Sequence, residues 1–230
     1  MTVAPELSES ELLIRSLVNS DVRVSLGHST ATYDQGLKAV SEGASCLTKT
    51  MNCFPALHHR EPGLAGLITL PESADAKAPY YSIIADGHHV HSSVVTMLYR
   101  AAPQRCILAS DSIELAGLPD GTYPGNALVA HQQVKAGPIA TIEGTNTLIG
   151  SCTTVGDAVK NLIKWSGCSV AEAVRCVTEN VADMMGVMDR GILQEGRRAD
   201  FIVLDDDGNV LETWIEGKQV WRAEGREAWY

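Results

Sequence analysis

Residues 22–60 read VRVSLGHSTATYDQGLKAVSEGASCLTKTMNCFPALHHR. An apolar, β-branched run (Val22, Val24, Leu26) ends in Gly27-His28-Ser29. A segment with helical spacing follows over 32–42, with Tyr33, Leu37 and Val40 on one face and Gly43 placed to stop it. A second apolar run, 44–47, then meets Lys49, Asn52 and His58-His59-Arg60. Strand, polar tip, helix, strand, polar tip is the rhythm of a βα unit. In parallel α/β folds the chemistry gathers at the C-terminal tips of the strands. This spacing places His28 where a metal ligand or general base would stand, and Lys49 at the next tip.

The alternation continues on both sides. Upstream, Thr2-Val3-Ala4 reads as a very short strand running into Pro5, and a domain opening in mid-strand points to further sequence before it. Ser8-Glu9-Ser10-Glu11 supplies capping residues and early acidic charge for a helix through Val18. Downstream, a long loop rich in Pro and His spans 51–66, a length more often functional than idle. Residues 80–85 form a strand ending in Asp86-Gly87-His88-His89, 92–102 a helix, and 105–109 a strand ending in Ser110-Asp111. Five strand-like runs thus precede Asp111, and a parallel barrel is the leading architecture.

Short β-type runs between Gly and Pro over 121–143 predict a hairpin insertion. Residues 153–166 and 169–185 have the spacing of two amphipathic helices. A β-meander is expected over 201–204, 210–215 and 219–221, with turns at Asp207-Gly208-Asn209 and Glu216-Gly217. The expected organisation is therefore a barrel portion over 1–190 and a C-terminal β segment over 191–230, which needs a partner sheet to bury its second face.

Composition narrows the partners. The 230 residues carry a net charge of −10 without long like-charge runs, which argues against nucleic acid or an anionic membrane surface as partner. An anionic ligand would need a local cationic cluster, and Arg60 beside two histidines is the obvious one. No apolar run is long enough to span a bilayer, and no basic n-region precedes an apolar stretch. Six scattered cysteines without a CxxC pair read as reduced thiols of a cytoplasmic protein.

The order GHS, a polar strand tip, HHREPG, ADGHH, a strand ending in SD, and ADFIVLDDDGNV resembles the amidohydrolase superfamily. Within it, the pattern is similar to the N-acetylglucosamine-6-phosphate deacetylases. The resemblance covers nearly the whole chain but only the later part of a family member. It implies an α/β fold: an incomplete TIM-like (β/α) barrel of about strands 4–8, with part of a small β-sandwich at the C-terminus. Residues 2–4 would then be the fourth barrel strand. It further implies hydrolysis of the acetamide of N-acetylglucosamine 6-phosphate to glucosamine 6-phosphate and acetate, a divalent metal with zinc foremost, and a homodimer.

Carried over residue by residue, His28 matches a metal-binding histidine and Asp111 the catalytic aspartate. Asn52 and Cys53 match a dipeptide touching the amido sugar, Arg60 the arginine on the sugar phosphate, and His89 a histidine that polarises the scissile carbonyl. Leu148-Ile149-Gly150 matches a substrate-lining loop. Lys49 departs from the pattern, because the family has a second metal-binding histidine there. An ammonium offers no lone pair and repels a divalent cation, so Lys49 is expected to pair with Asp111 instead. The other functional expectation is a catalytically inactive, truncated relative that binds sugar phosphate or a partner chain. An incomplete barrel would expose two sheet edges and apolar interior faces. His58, His59, His88, His91 and His131 carry no assigned role.

Overall fold

The computed structural model describes residues 1–71, 73 and 76–223. Strands β1 (Thr2–Val3), β2 (Ser25–Leu26), β3 (Cys46–Leu47), β4 (Tyr80–Ile84) and β5 (Cys106–Ala109) pair in sequence order, every pair parallel. Between them run α1 (Ser10–Asn19), α2 (Tyr33–Ser41), a 3₁₀ helix (Gly63–Thr69) in the latter part of the expected loop, and α3 (Ser92–Ala101). Sequential parallel strands joined by helices are the winding of a (β/α) barrel. Here the sheet is open, with β1 and β5 at its edges.

Local chemistry accounts for the helix ends, with one correction. Thr32 and Gln35 form a reciprocal capping box at the start of α2, and Gly43 follows it at φ 105°. The acidic run before α1 does not cap it as expected. Glu9 sits in the left-handed region at φ 61° without a side-chain cap bond, and the Ser10 hydroxyl donates to Pro5 O at 2.7 Å.

The strands separate two environments with period 2. Leu26, Leu47, Ile83 and Leu108 face the helices and join Ile14, Val95 and Leu98 in one buried core. The opposite, inner face carries Thr2, Ser25, Thr48 and Ser82. Thr48 Oγ1 lies 3.1 Å from Thr2 Oγ1 and 2.5 Å from Ser25 Oγ. This face overlooks a cavity of about 740 Å³ near the N-terminal ends of the strands, reached also by Met1, Cys46 and Ile107. The expected apolar interior is thus a mixed one, in which the hydroxyls of Ser25, Thr48 and Ser82 lie among Cys46, Ile84 and Ile107.

The β5 edge is covered as well. After α4 (Val155–Ser166), the helix expected over 169–185 breaks into α5 (Val170–Arg175) and α6 (Glu179–Met185). The break serves β5: Leu108 N–H donates to Cys176 O at 3.1 Å, and Asn180 Nδ2 donates to Cys106 O at 2.7 Å and Pro103 O at 3.0 Å. A continuous helix would keep the Cys176 carbonyl for its own ladder.

Where a hairpin is expected over 121–143, the structure has a four-stranded antiparallel sheet of β6 (Gly121–Tyr123), β7 (Gln133–Ala136), β8 (Ile139–Ile142) and β9 (Leu148–Ser151). Ser151 N–H donates to Asp111 O at 3.1 Å, and Ile113 N–H donates to Ser151 O at 3.0 Å, which moors β9 at the tip of β5. The last sheet is β10 (Phe201–Leu204), β11 (Val210–Ile215) and β12 (Lys218–Arg222). Glu216 and Gly217, both at positive φ, make its two-residue turn, and Phe201 stacks on Trp214 at 5.4 Å. Among the described residues no helix is long and apolar enough to cross a membrane.

Candidate active site at the strand tips

Register sets the site. Leu26 pairs with Leu47, and His28 and Lys49 each stand two residues beyond; Ile84 pairs with Ala109, and Asp86 and Asp111 each stand two beyond. His28, Lys49 and Asp111 share a left-handed backbone, at φ 51°, 48° and 51°. Histidine and aspartate tolerate that conformation, whereas for lysine it costs about 1 kcal/mol, strain of the kind that gathers at functional sites. Gly27 lets the first two tips approach: a Cβ there would lie 2.8 Å from Thr48 Cβ and 2.9 Å from Thr48 O. Gly27→Ala is expected to destabilise the chain by about 2 kcal/mol, seen as a lower urea midpoint with an unchanged slope. A midpoint equal to the parent's would show that the tips can spread freely.

The side chains then form one polar chain. Lys49 Nζ pairs with Asp111 Oδ1. The other Asp111 oxygen, Oδ2, lies 3.5 Å from His89 Nε2, and His89 Nδ1 lies 2.6 Å from Asp86 Oδ2. Asp86 Oδ1 accepts the backbone N–H groups of His88 and His89, each at 2.9 Å. Burial pushes the Asp86 carboxyl up, but the hydrogen bonds from the His89 ring and from the two backbone N–H groups outweigh it and hold it at about 2. Asp86 therefore fixes the His89 ring, with both ring nitrogens facing carboxylate oxygens.

Asn52 joins the same cluster. Its N–H donates to Lys49 O at 2.8 Å and its Nδ2 to His89 O at 3.2 Å, while its Oδ1 is buried without a hydrogen-bond partner. Ser82 Oγ accepts the Lys49 N–H at 2.8 Å. Cys53 is exposed, and its carbonyl accepts Ser29 N–H at 3.1 Å beside the His28 tip. Gly150 is buried; a Cβ there would lie 2.3 Å from Ile113 Cγ2, so only glycine lets β9 rest on the turn after Asp111. Leu148 and Ile149 beside it are half-buried.

The structure thus brings Lys49, Asn52, His89, Asp111 and Gly150 together. Cys53 follows Asn52 in the chain, and its carbonyl holds Ser29 N–H next to the exposed His28. Arg60 stands apart on its exposed loop: its N–H donates to His58 Nδ1 at 3.2 Å, and its guanidinium has no hydrogen-bond or ion-pair partner among the described residues. Sequence reasoning gave Asp86 no role, although an aspartate three residues before a histidine at a strand tip is the available signal.

Two carboxylates and a held imidazole can do acid–base work, and the Lys49 ammonium can bind an oxyanion or carbonyl oxygen. A divalent metal fits poorly. Among the described residues no group of three or more His, Cys, Asp and Glu side chains is placed to hold one, and Lys49 lies against the carboxylate that would face it.

Comparison with known proteins agrees with this architecture. N-acetylglucosamine-6-phosphate deacetylase of Danio rerio is 39% identical over 224 residues, covering 96% of this chain and 54% of that protein. N-acetylgalactosamine-6-phosphate deacetylase of Escherichia coli O157:H7 is 36% identical over 95% of this chain and 56% of its own length. The crystal structure of N-acetylglucosamine-6-phosphate deacetylase from Thermotoga maritima superposes with a TM-score of 0.82 at 38% identity, covering 96% of this chain and 59% of that one. The chain thus spans about half the length of the curated relatives it matches. Residues 77–221, more than half of the chain, match the model of the Amidohydrolase family. With barrel-order strands and a polar cluster at their tips, the chain belongs to the amidohydrolase family.

Proposed function

We propose that this chain serves the deacetylation of an N-acetylated amino-sugar 6-phosphate, N-acetylglucosamine 6-phosphate in the first instance, to the amino-sugar phosphate and acetate. The observation that carries the reading is the convergence of Asn52, His89 and Asp111 on one mouth, with Asp86 holding the His89 ring. In this reading Arg60 takes the phosphate as a bidentate guanidinium contact. Asn52, Cys53 and the 148–150 segment line the sugar, and the unpartnered Asn52 Oδ1 offers an acceptor to a ligand N–H or O–H. His89 faces the acetamide carbonyl. Asp111 takes a proton from the attacking water and returns it to the leaving amine as the C–N bond breaks. Residues 1–190 serve as the barrel portion and 191–230 as the C-terminal β segment. A homodimer in a reducing, cytoplasmic compartment suits the six free cysteines and an Arg60 guanidinium without a partner among the described residues.

The Lys49–Asp111 ion pair favours a second reading, a chain that binds the sugar phosphate without turning it over. Calorimetric titration and acetate release, run side by side on the purified chain, separate the two. Both readings expect N-acetylglucosamine 6-phosphate to bind far more tightly than N-acetylglucosamine, and Arg60→Ala to weaken the phosphorylated sugar about 30-fold while leaving the other unchanged. Acetate release supports deacetylation, and tight binding without acetate supports the second reading. Equal affinity for the two sugars would remove the phosphate site and both readings with it. N-acetylgalactosamine 6-phosphate, run in parallel, sets the preference at C4.

A further inference from the structure

At the tip of β3, Lys49 is the residue that a divalent cation can least use, yet its placement is well defined. Its backbone keeps the left-handed turn of His28 and Asp111, its N–H is held by Ser82 Oγ, and its Nζ reaches Asp111 rather than open solvent. The pair is only partly exposed, at 31% and 26% of the two side chains, so water screens it incompletely. The carboxylate that would face a metal is thereby already matched by a positive charge. The other nearby carboxylate, Asp86, is committed to His89 and two backbone N–H groups. An entering cation would first have to strip Lys49 from Asp111 and then sit beside its ammonium.

We infer that Lys49 takes the place of the metal ion, a tethered ammonium that closes the mouth against divalent cations and leaves it able to bind an N-acetylated amino-sugar phosphate without one. The inference rests on the substrate class proposed above, and it makes Lys49 a positioning residue for Asp111 and the ligand-side cation of the site.

The test uses the full chain, stripped with chelator and re-equilibrated with zinc chloride. Bound zinc is counted by elemental analysis, thermal unfolding is followed with and without zinc, and N-acetylglucosamine 6-phosphate is titrated in chelator. The parent is expected to retain fewer than about 0.1 zinc per chain and to unfold at the same temperature in zinc and in chelator. Lys49→His is expected to raise zinc affinity at least about tenfold, and Lys49→Arg, which keeps the charge, to exclude zinc as the parent does. Sugar-phosphate affinity is expected to be equal in zinc and in chelator. Stoichiometric zinc in the parent, sugar binding that requires zinc, or a Lys49→His chain that takes up no more zinc than the parent would each overturn the inference. Absence of sugar-phosphate binding under every condition would sink the substrate class instead, and the zinc count would still decide the place of Lys49.

Discussion

Asp86→Ala is expected to lower folding stability by about 3 kcal/mol at neutral pH, more than a surface substitution can cost. The carboxylate is buried and accepts three hydrogen bonds, from His88 N–H, His89 N–H and His89 Nδ1, and alanine leaves those donors without an acceptor. The pH dependence follows from the same geometry. The folded Asp86 carboxyl is held at about 2, below the unfolded value near 4, so the unfolded chain binds the proton more readily. Its contribution is fully present above about pH 5 and is lost as pH falls toward 2. The shift amounts to about 2 kcal/mol of that stability. Urea midpoints of the parent and of Asp86→Asn should therefore converge on acidification. A gap that stays constant from pH 7 to pH 3 would show that Asp86 is not the group being titrated.

Asn180→Ala should cost a similar amount, about 3 kcal/mol, at the far end of the same strand system. Asn180 is 2% exposed, and alanine would leave Cys106 O and Pro103 O without their donor and open a small cavity. A second effect follows, because the amide covers the outer edge of β5, and an uncovered parallel edge invites pairing with another chain. Light scattering of Asn180→Ala should show concentration-dependent association to species larger than the parent's. A variant with the parent's midpoint and no association would mean that the Leu108–Cys176 contact alone guards the edge.

Much of this was legible in the chain. The GHS, DGHH and SD tips carry their own strand-end signals, and the turn at Glu216-Gly217 sits where the two hairpin residues predict it. The ion pair between Lys49 and Asp111, expected from the resemblance, spans the tips of β3 and β5. The stretch 77–221 matched by the family model holds the DGHH and SD tips but not the GHS one. Other features were hidden because they depend on partners distant in sequence. The break after Arg175 cannot be read from helical periodicity, since its cause is a β5 peptide group almost seventy residues earlier. Asp86 had no role until the fold set His89 between two carboxylates. The inner face was expected to be apolar and is mixed: Ser25, Thr48 and Ser82 alternate with Leu26, Leu47 and Ile83, and this small period was there to be counted.

That alternation bears on how the molecule assembles. On the inner face the Thr2, Ser25 and Thr48 hydroxyls bond to one another, whereas the outer face is buried against the helices. Each strand pairs with its immediate neighbour across a connection that carries a helix, and the stretch between β3 and β4 is the longest of these, so that pairing closes at the highest entropic cost.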